Sequence, residues 1–174
     1  MLAPLAERLR PKSLDEYIGQ KHLVGTDGVL RKMLQAKRIP SIILWGPPGV
    51  GKTTLAKIIA KDLDMPFYVL SAIQSGVKEV RKVIEKARDN HLFQKSNPIL
   101  FIDEIHRFSK SQQDSLLGAV ESGIITLIGA TTENPSFEVI SPLLSRCQVY
   151  VLKPLEESDL LELSNRALNT DVDL

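Results

Sequence analysis

The chain has 174 residues, 43% of them apolar, and its 22 Lys and Arg against 21 Asp and Glu give a formal net charge of +1. These values fit one domain with a substantial hydrophobic core and part of a second, and the apolar runs are too short to span a bilayer. The start, Met1 to Leu5, lacks the pattern of a secretory signal, and the single cysteine, Cys147, excludes an internal disulfide. A cytoplasmic protein is therefore expected.

Short apolar segments alternate with longer segments that have helical periodicity. This alternation predicts βαβ crossovers and a parallel sheet. The strands are predicted near residues 41–45, 66–70, 99–103, 125–130 and 148–152, and the helices near residues 27–37, 53–63, 76–91, 110–121 and 157–168. The fourth helix has its own boundary signals, because Ser109 and Gln112 fit a capping box and Gly123 fits a C-terminal cap.

The first predicted strand leads into a phosphate-binding motif, G-x-x-x-x-G-K-[ST], and a helix follows directly. A strand that turns into a helix points backbone N–H groups at an anion, and glycines let the backbone approach phosphates closely. Lys52 is expected to reach the β- and γ-phosphates of a nucleotide, and the Thr53 hydroxyl is expected to bind Mg²⁺. The predicted nucleotide contacts here are Gly46, Pro47, Pro48, Gly49, Val50, Gly51, Lys52, Thr53 and Thr54.

Two adjacent carboxylates, Asp103 and Glu104, end the apolar run that begins at Ile99. Such a run fits a central parallel strand, whose carboxyl end is where ligands of α/β proteins bind. Asp103 is expected to bind Mg²⁺ through water, and Glu104 is expected to polarise the attacking water as a general base. Small-molecule kinases of the same fold usually lack the adjacent Glu, so the pair favours nucleotide hydrolysis over phosphoryl transfer to a metabolite.

Charge is unevenly distributed, since residues 1–98 carry 17 Lys and Arg against 9 Asp and Glu, whereas residues 99–174 carry 5 against 12. Part of the basic excess lies on the predicted helix 76–91, at spacings that place several cations on one face. This face is either an ordinary solvated surface or a surface that contacts nucleic-acid phosphates. Its basic residues are Lys78, Arg81, Lys82, Lys86 and Arg88.

A domain boundary is predicted near Pro154, because the acidic residues that follow it suit the first turn of a new helix. Residues 1–153 are predicted to form the nucleotide-binding core, in which residues 1–25 lie on the adenine side. Residues 154–174 are predicted to be the start of a helical lid domain that the chain contains only in part.

The order of these motifs resembles that of AAA+ ATPases of the clamp-loader clade. Arg10–Gln20 resembles the adenine-side region of that clade, Gly129–Pro135 its sensor 1 region, and Ser145–Cys147 its arginine-finger motif. Three stretches are also similar to the replication-associated recombination protein A family (RarA, also called MgsA), whose eukaryotic relative is the Werner helicase-interacting protein. These stretches are Ser71–Arg81, Asp103–Asp114 and Gly129–Val139.

The resemblance implies an α/β fold, in which an AAA+ P-loop core with a five-stranded parallel sheet flanked by helices precedes the start of a helical lid. It implies that Arg146 is an arginine finger that enters the nucleotide site of a neighbouring subunit. It assigns sensor 1 to Thr132, with Asn134 as the alternative. His106 follows the acidic pair but has no metal-ligand spacing, and its expected role is structural or conformational.

The same resemblance places adenine between Tyr17 and Ile18, with Arg10 and Pro11 close by. An ordinary core position is the alternative for Tyr17 and Ile18. A second arginine, sensor 2, is expected on a lid helix beyond the 174 residues of the chain.

The implied function is Mg²⁺-dependent ATP hydrolysis by a homo-oligomer without a membrane partner, coupled to DNA remodelling at stalled or damaged replication forks. Single-stranded, fork or junction DNA is the expected partner, and a single-stranded DNA-binding protein is a candidate partner. The resemblance also implies association with the nucleoid if the protein is bacterial. Nearby alternatives are a clamp-loader subunit and a branch-migration motor resembling RuvB. A scaffold that binds nucleotide without hydrolysing it is an alternative of another class, and Glu104 and Arg146 argue against it.

Overall fold

A five-stranded sheet, parallel throughout, forms the centre of the computed structural model, which describes residues 4–91 and 96–170. The strands are β1 (Ile42–Trp45), β2 (Phe67–Ser71), β3 (Ile99–Asp103), β4 (Thr126–Thr131) and β5 (Gln148–Val151). Their spatial order is β2-β3-β4-β1-β5, so the chain crosses from β1 to the far edge at β2 and then returns strand by strand. The predicted parallel five-stranded sheet is confirmed.

Helices precede the first strand, connect the strands and follow the last of them. They are α1 (Leu5–Arg8), α2 (Lys21–Val24), α3 (Val29–Gln35), α4 (Lys52–Asp62), α5 (Val77–His91), α6 (Lys110–Glu121), α7 (Pro135–Glu138), α8 (Ser141–Leu144) and α9 (Glu157–Thr170). A 3₁₀ turn at Ile105–Arg107 follows β3. Among the described residues, none of the helices combines the length and the apolar character that crossing a bilayer requires.

The central strands β1, β3 and β4 are buried because helices cover both faces of the sheet. Alternate residues of a strand point to opposite faces, as its pleat requires. Ile42 and Leu44 belong to an apolar cluster with residues of α4, whereas Ile43 belongs to a second cluster with residues of α5 and α6. Burial on both faces explains why these strands are apolar without interruption.

Every strand and helix predicted from the sequence is present, with ends that agree to within two residues. Helix α6 begins with the predicted capping box, in which Ser109 Oγ accepts the Gln112 N–H at 3.2 Å and Gln112 Oε1 accepts the Ser109 N–H at 2.7 Å. Gly123 follows the end of α6 at φ 72°, a left-handed conformation that suits glycine.

The sequence does not predict the four-residue helices α1, α2, α7 and α8 or the 3₁₀ turn. One helical turn is too short to show helical periodicity, so the pattern carries no signal for them. Residues 1–3 of the predicted adenine-side segment and residues 171–174 of the predicted lid lie outside the described residues.

The carboxyl ends of the parallel strands meet at one edge of the sheet. Trp45 at the end of β1 is paired with Thr131 at the end of β4, and Asp103 ends β3 beside β4. The sheet therefore brings the phosphate motif, the acidic pair and the predicted sensor 1 segment to the same edge.

Candidate nucleotide-binding site

A cavity of about 660 Å³ opens at this edge of the sheet, within the usual size of small-molecule sites. Its walls come from the phosphate motif, the ends of β3 and β4, the N-terminal segment and the C-terminal helix α9. The predicted residues that line it are Arg10, Pro11, Tyr17, Ile18, Pro48, Gly49, Val50, Gly51, Lys52, Thr53, Thr54, Asp103, Glu104 and Thr132.

Four predicted residues, Gly46, Pro47, Asn134 and Arg146, are absent from the lining of the cavity. Gly46 still has a clear role, since its N–H donates to the Thr131 carbonyl at 3.1 Å. A Cβ at this position would lie 2.5 Å from the backbone oxygen of Leu152. Glycine therefore lets the start of the phosphate loop, residues 46–53, pass close to the chain that leaves β5.

Two glycines in the phosphate loop adopt left-handed backbone conformations, Gly49 at φ 76° and Gly51 at φ 98°. Gly51 is the N-terminal cap of α4, which begins at Lys52. The chain thus turns sharply into a helix of 11 residues whose first N–H groups lack partners within the helix. The N–H groups at the start of α4 therefore form an anion-binding site at the base of the cavity.

The ammonium of Lys52 lies over the phosphate loop, where Nζ donates to the carbonyl oxygens of Gly46 and Pro47, both at 2.7 Å. Burial lowers the pKa of Lys52, and the nearby Asp103 carboxylate opposes this shift. A cation held between loop carbonyls and an acidic strand end can turn towards phosphate oxygens without leaving the cavity.

Tyr17 supports the phosphate loop as well as lining the cavity. Its side chain is buried, and its hydroxyl lies 3.2 Å from the carbonyl oxygens of both Val50 and Gly51. Burial raises the pKa of Tyr17, which keeps the hydroxyl protonated as a donor. The alternatives of adenine contact and core packing are therefore not exclusive, because the ring lies between the loop and the cavity.

Replacing Tyr17 with Phe is expected to destabilise the fold by about 1 kcal/mol, since the loop carbonyls lose a buried donor while the ring is kept. Urea unfolding measures this change in the free energy of unfolding. Tyr150→Phe is the matched control, because Tyr150 is less buried and its hydroxyl contacts the exposed Gln148 side chain. Equal stability of Tyr17→Phe and the unmodified protein would contradict the supporting role.

Glu104 has a left-handed backbone, φ 52° and ψ 48°, where β3 gives way to the 3₁₀ turn. A non-glycine residue in this region is uncommon and is found most often in turns and functional sites. The Glu104 N–H donates to Asp103 Oδ1 at 3.0 Å, and Arg107 Nε lies 3.2 Å from Glu104 Oε2. The carboxylate predicted to be the general base is thus paired with a cation three residues later.

The end of β4 carries a polar network next to the predicted sensor. Thr131 is buried, and its Oγ1 accepts the Glu133 N–H at 3.0 Å and lies 3.0 Å from His106 Nδ1. Thr132 is exposed and lines the cavity, whereas Asn134 caps α7 by accepting the Ser136 N–H at 3.0 Å. This placement favours Thr132 over Asn134 as the residue that meets a bound nucleotide.

Arg146 lies on the surface outside the cavity of its own chain. Its Nη2 is 2.7 Å from Glu121 Oε1, and its Nη1 donates to the Pro142 carbonyl at 2.6 Å. An arginine that acts on the nucleotide of a neighbouring subunit must be exposed in this way.

Nearby Cys147 is partly buried, and burial raises the pKa of its thiol to about 12, which makes it a poor nucleophile.

The family described as "ATPase family associated with various cellular activities (AAA)" matches residues 42–155. This range includes the phosphate loop, the acidic pair and the sensor segment. The chain belongs to the AAA family.

Curated relatives extend this assignment to nearly the whole chain. Replication-associated recombination protein A of Haemophilus influenzae is 51% identical over 165 residues, which are 95% of this chain and 37% of that protein. ATPase WRNIP1 of Dictyostelium discoideum is 53% identical over 166 residues, 95% of this chain and 19% of that protein. The resemblance to the RarA family is confirmed, and this AAA chain spans little more than a third of the length of its bacterial relative.

Among solved structures, that of the Thermotoga maritima RuvB Holliday junction branch migration motor is similar to this AAA chain. The TM-score is 0.75 at 34% identity, over 92% of this chain and 54% of that one. The likeness covers the α/β core and confirms the AAA+ P-loop fold.

The AAA chain offers oxygen ligands for a magnesium ion. Mg²⁺ prefers hard oxygen donors and usually keeps several waters while it binds one or two protein groups and the substrate phosphates. The Thr53 hydroxyl and the Asp103 carboxylate line the same cavity and fit this requirement. In the part of the chain that the structure describes, no group of three or more His, Cys, Asp or Glu side chains forms a protein-only metal site.

Sequence motifs did not reveal several residues that line the cavity of this AAA chain. The apolar ones belong to α1 and the residue that follows it, to α9 and to the segment before α9, and one cation, Arg166, comes from α9. The apolar spacing on α9 predicts a buried face, but nothing in the sequence shows what that face covers. These residues are Leu5, Ala6, Leu9, Leu155, Leu163 and Arg166.

The predicted basic face of α5 is exposed along its length. Acidic residues, Glu79, Glu85 and Asp89, are exposed on the same helix, so cations outnumber carboxylates there by only two. Lys86 Nζ lies 5.3 Å from the centre of the Tyr68 ring. The exposed cations are Lys78, Arg81, Lys82, Lys86 and Arg88.

Proposed function

We propose that this chain binds and hydrolyses Mg²⁺-ATP and that hydrolysis in the full-length protein is coupled to DNA remodelling during replication-associated recombination. One observation carries the ATPase part: the phosphate loop with Lys52, the Asp103–Glu104 pair and Thr132 all line a single cavity. A protein that only binds ATP needs the phosphate loop but has no need of a general base. Glu104, next to Asp103 at the end of the strand, can serve as that base and therefore favours hydrolysis.

In the proposed reaction each residue of the cavity has a role that follows from its position. The loop N–H groups and the positive end of α4 bind the phosphates, and Lys52 turns from the loop carbonyls to the β- and γ-phosphates. Thr53 and Asp103 hold the magnesium ion, which supplies positive charge at the phosphates when it is bound. Glu104 accepts a proton from the attacking water, and Thr132 orients that water or the γ-phosphate.

The site is completed by a second subunit. Arg146 lies outside the cavity of its own chain, so it acts on the nucleotide of a neighbour in a homo-oligomer, where its guanidinium neutralises charge on the γ-phosphate. In this proposal residues 1–153 form the core, and residues 154–174, which include α9, are the start of a helical lid.

DNA is the proposed substrate because the relatives of Haemophilus influenzae and Escherichia coli, both named replication-associated recombination protein A, are 51% and 52% identical to this chain. Single-stranded and fork DNA are the forms to test first, with a single-stranded DNA-binding protein as a candidate partner. Branch migration is the second candidate function, since the RuvB motor shares the core fold at a TM-score of 0.75. Stimulation of ATP turnover by fork DNA rather than by four-way junctions favours the first.

Replacing Lys52 with Ala tests the nucleotide site itself. Binding of Mg²⁺-ATP is expected to weaken by about 2 to 3 kcal/mol, because the variant loses a charge-assisted contact in a partly buried site. Isothermal titration calorimetry measures this loss.

Lys57→Ala is the matched control, since Lys57 lies on the same helix α4 but is exposed and does not line the cavity. The control is expected to bind ATP as the unmodified protein does. Unchanged affinity in Lys52→Ala would overturn the assignment of the phosphate loop.

A further inference from the structure

The N-terminal segment is joined to the C-terminal part of the chain by a line of contacts that begins at β5. His22 Nε2 lies 2.8 Å from the Val151 carbonyl. Gln20 bonds to Lys153 twice, since its Nε2 donates to the Lys153 carbonyl at 2.7 Å and its Oε1 accepts the Lys153 N–H at 2.8 Å. Two side chains thus satisfy backbone groups along the edge of the sheet and just beyond β5.

The same line continues onto helix α9. A Cβ at Gly19 would lie 2.8 Å from Leu155 Cδ2 and 3.5 Å from Asp159 Oδ2, so glycine permits a close approach here. At the far end, Arg166 Nη1 donates to the Glu16 carbonyl at 2.6 Å and Nη2 donates to Glu16 Oε2 at 3.2 Å. We call the whole line, from residues 16–22 to residues 151–166, the seam.

The two ends of the seam differ in strength. Gln20 is 6% exposed, and breaking its bonds would leave buried polar groups without partners, which is costly. The Arg166 and Glu16 side chains are 27% and 44% exposed, and an ion pair of that kind contributes little and is screened by salt. The end of the seam beside β5 is therefore held by buried hydrogen bonds, whereas the α9 end includes a partly exposed ion pair.

The cavity lies between the two segments that the seam joins. Leu9, Tyr17 and Ile18 line it from the N-terminal side, and Leu163 and Arg166 line it from α9. Contacts at the α9 end of the seam therefore hold two walls of the cavity together.

Glu16 also keeps its own segment in place. Its Oε2 accepts the Lys12 N–H at 2.8 Å, and this bond, followed by the Arg166 charge, holds the pKa of the Glu16 carboxyl below its ordinary value. The carboxylate is thus held by its own segment as well as by α9.

We propose that Arg166 and Glu16 form a latch that holds α9 against the N-terminal segment and slows the release of nucleotide from the cavity. The latch rests on the proposed nucleotide-binding function and adds a positioning pair outside the phosphate loop and the acidic pair. It predicts a change in the rate of dissociation, with the phosphate contacts and the hydrolytic groups left as they are.

The test compares Arg166→Gln in the full-length protein with Arg31→Gln as a matched control. Arg31 makes the same two kinds of contact, to the Val24 carbonyl at 2.7 Å and to Asp15 Oδ1 at 3.0 Å, but it does not line the cavity. Stopped-flow release of fluorescently labelled ADP is expected to be roughly two- to fivefold faster in Arg166→Gln, as the loss of a partly exposed ion pair implies. The control is expected to release ADP at the unmodified rate.

A double-mutant cycle separates a latch from a general loss of stability. Glu16→Gln keeps an oxygen that accepts the Lys12 N–H, so the N-terminal turn remains while the charge facing Arg166 is lost. The double variant is expected to release ADP no faster than Arg166→Gln alone. The release rate of Arg166→Lys is expected to lie between those of the unmodified protein and Arg166→Gln.

Additive effects of the two substitutions, or equal acceleration in Arg31→Gln, would overturn the latch. An unmodified ADP release rate in Arg166→Gln would do the same. Failure of the proposed function is distinguishable, because the unmodified protein would then bind neither ATP nor labelled ADP.

Discussion

Replacing Glu104 with Gln is expected to leave Mg²⁺-ATP binding intact and to slow hydrolysis in the full-length protein by roughly two to four orders of magnitude. Glutamine keeps the shape of the side chain and an oxygen that can accept from Arg107, but it cannot take a proton from water. Because Glu104 adopts a left-handed backbone at the end of β3, a substitution of equal size is the least disruptive one.

Calorimetry of ATP binding and steady-state turnover with DNA present measure the two halves of this prediction. Glu138→Gln is the control, since Glu138 is an exposed carboxylate on the neighbouring helix α7 and does not line the cavity. The control is expected to hydrolyse ATP at the unmodified rate. Full turnover in Glu104→Gln would show that another group acts as the base and would favour the nucleotide-gated scaffold.

The contact between Arg107 and Glu104 bears on the same experiment. In the single chain the carboxylate is paired at 3.2 Å with a side chain that is 56% exposed and free to move with solvent. A general base must be within hydrogen-bond reach of the water that it activates. In the proposed reaction the Glu104 carboxylate, which already lines the cavity, must turn from Arg107 to the water, and a weak exposed pair permits this at little cost.

The parts of the fold that the sequence predicted are those encoded by local patterns. The apolar run at Ile99 that ends in Asp103 identifies a central strand and its carboxyl end, and the G-x-x-x-x-G-K-[ST] motif places Lys52 at a helix start. Once the strands are parallel, their carboxyl ends must share an edge. Assembly of the main site residues in one cavity follows from these local signals and topology together.

The parts that the sequence did not predict depend on contacts between distant segments. Arg166 and Glu16 are 150 positions apart, and no sequence pattern assigns a role to either of them. The Tyr17 hydroxyl meets carbonyl groups more than 30 positions later, and no pattern in the sequence distinguishes that contact from ordinary core packing. Such pairs become visible only when the sheet and the C-terminal helix are placed in space.

Replacing Arg146 with Ala is expected to reduce hydrolysis in the full-length protein by about a thousandfold while ATP binding is retained, as the loss of an arginine finger does. In the proposed mechanism the arginine acts on a neighbouring subunit, since in its own chain Arg146 is outside the cavity and paired with Glu121 at 2.7 Å. Arg38→Ala, at an exposed position remote from the motif, is the control for loss of a surface cation and is expected to keep full activity.

Mixing Arg146→Ala with Lys52→Ala tests this action between subunits directly. Arg146→Ala keeps an unmodified phosphate loop but has no arginine to insert into the site of its neighbour. Lys52→Ala binds ATP poorly but retains Arg146. Some interfaces of the mixed assembly then combine an unmodified phosphate loop with an unmodified Arg146, so part of the lost hydrolysis is expected to return. The recovered rate is expected to rise with protein concentration, since association follows mass action. A co-assembled mixture that gives only the sum of the two separate rates would show that Arg146 does not act across the interface.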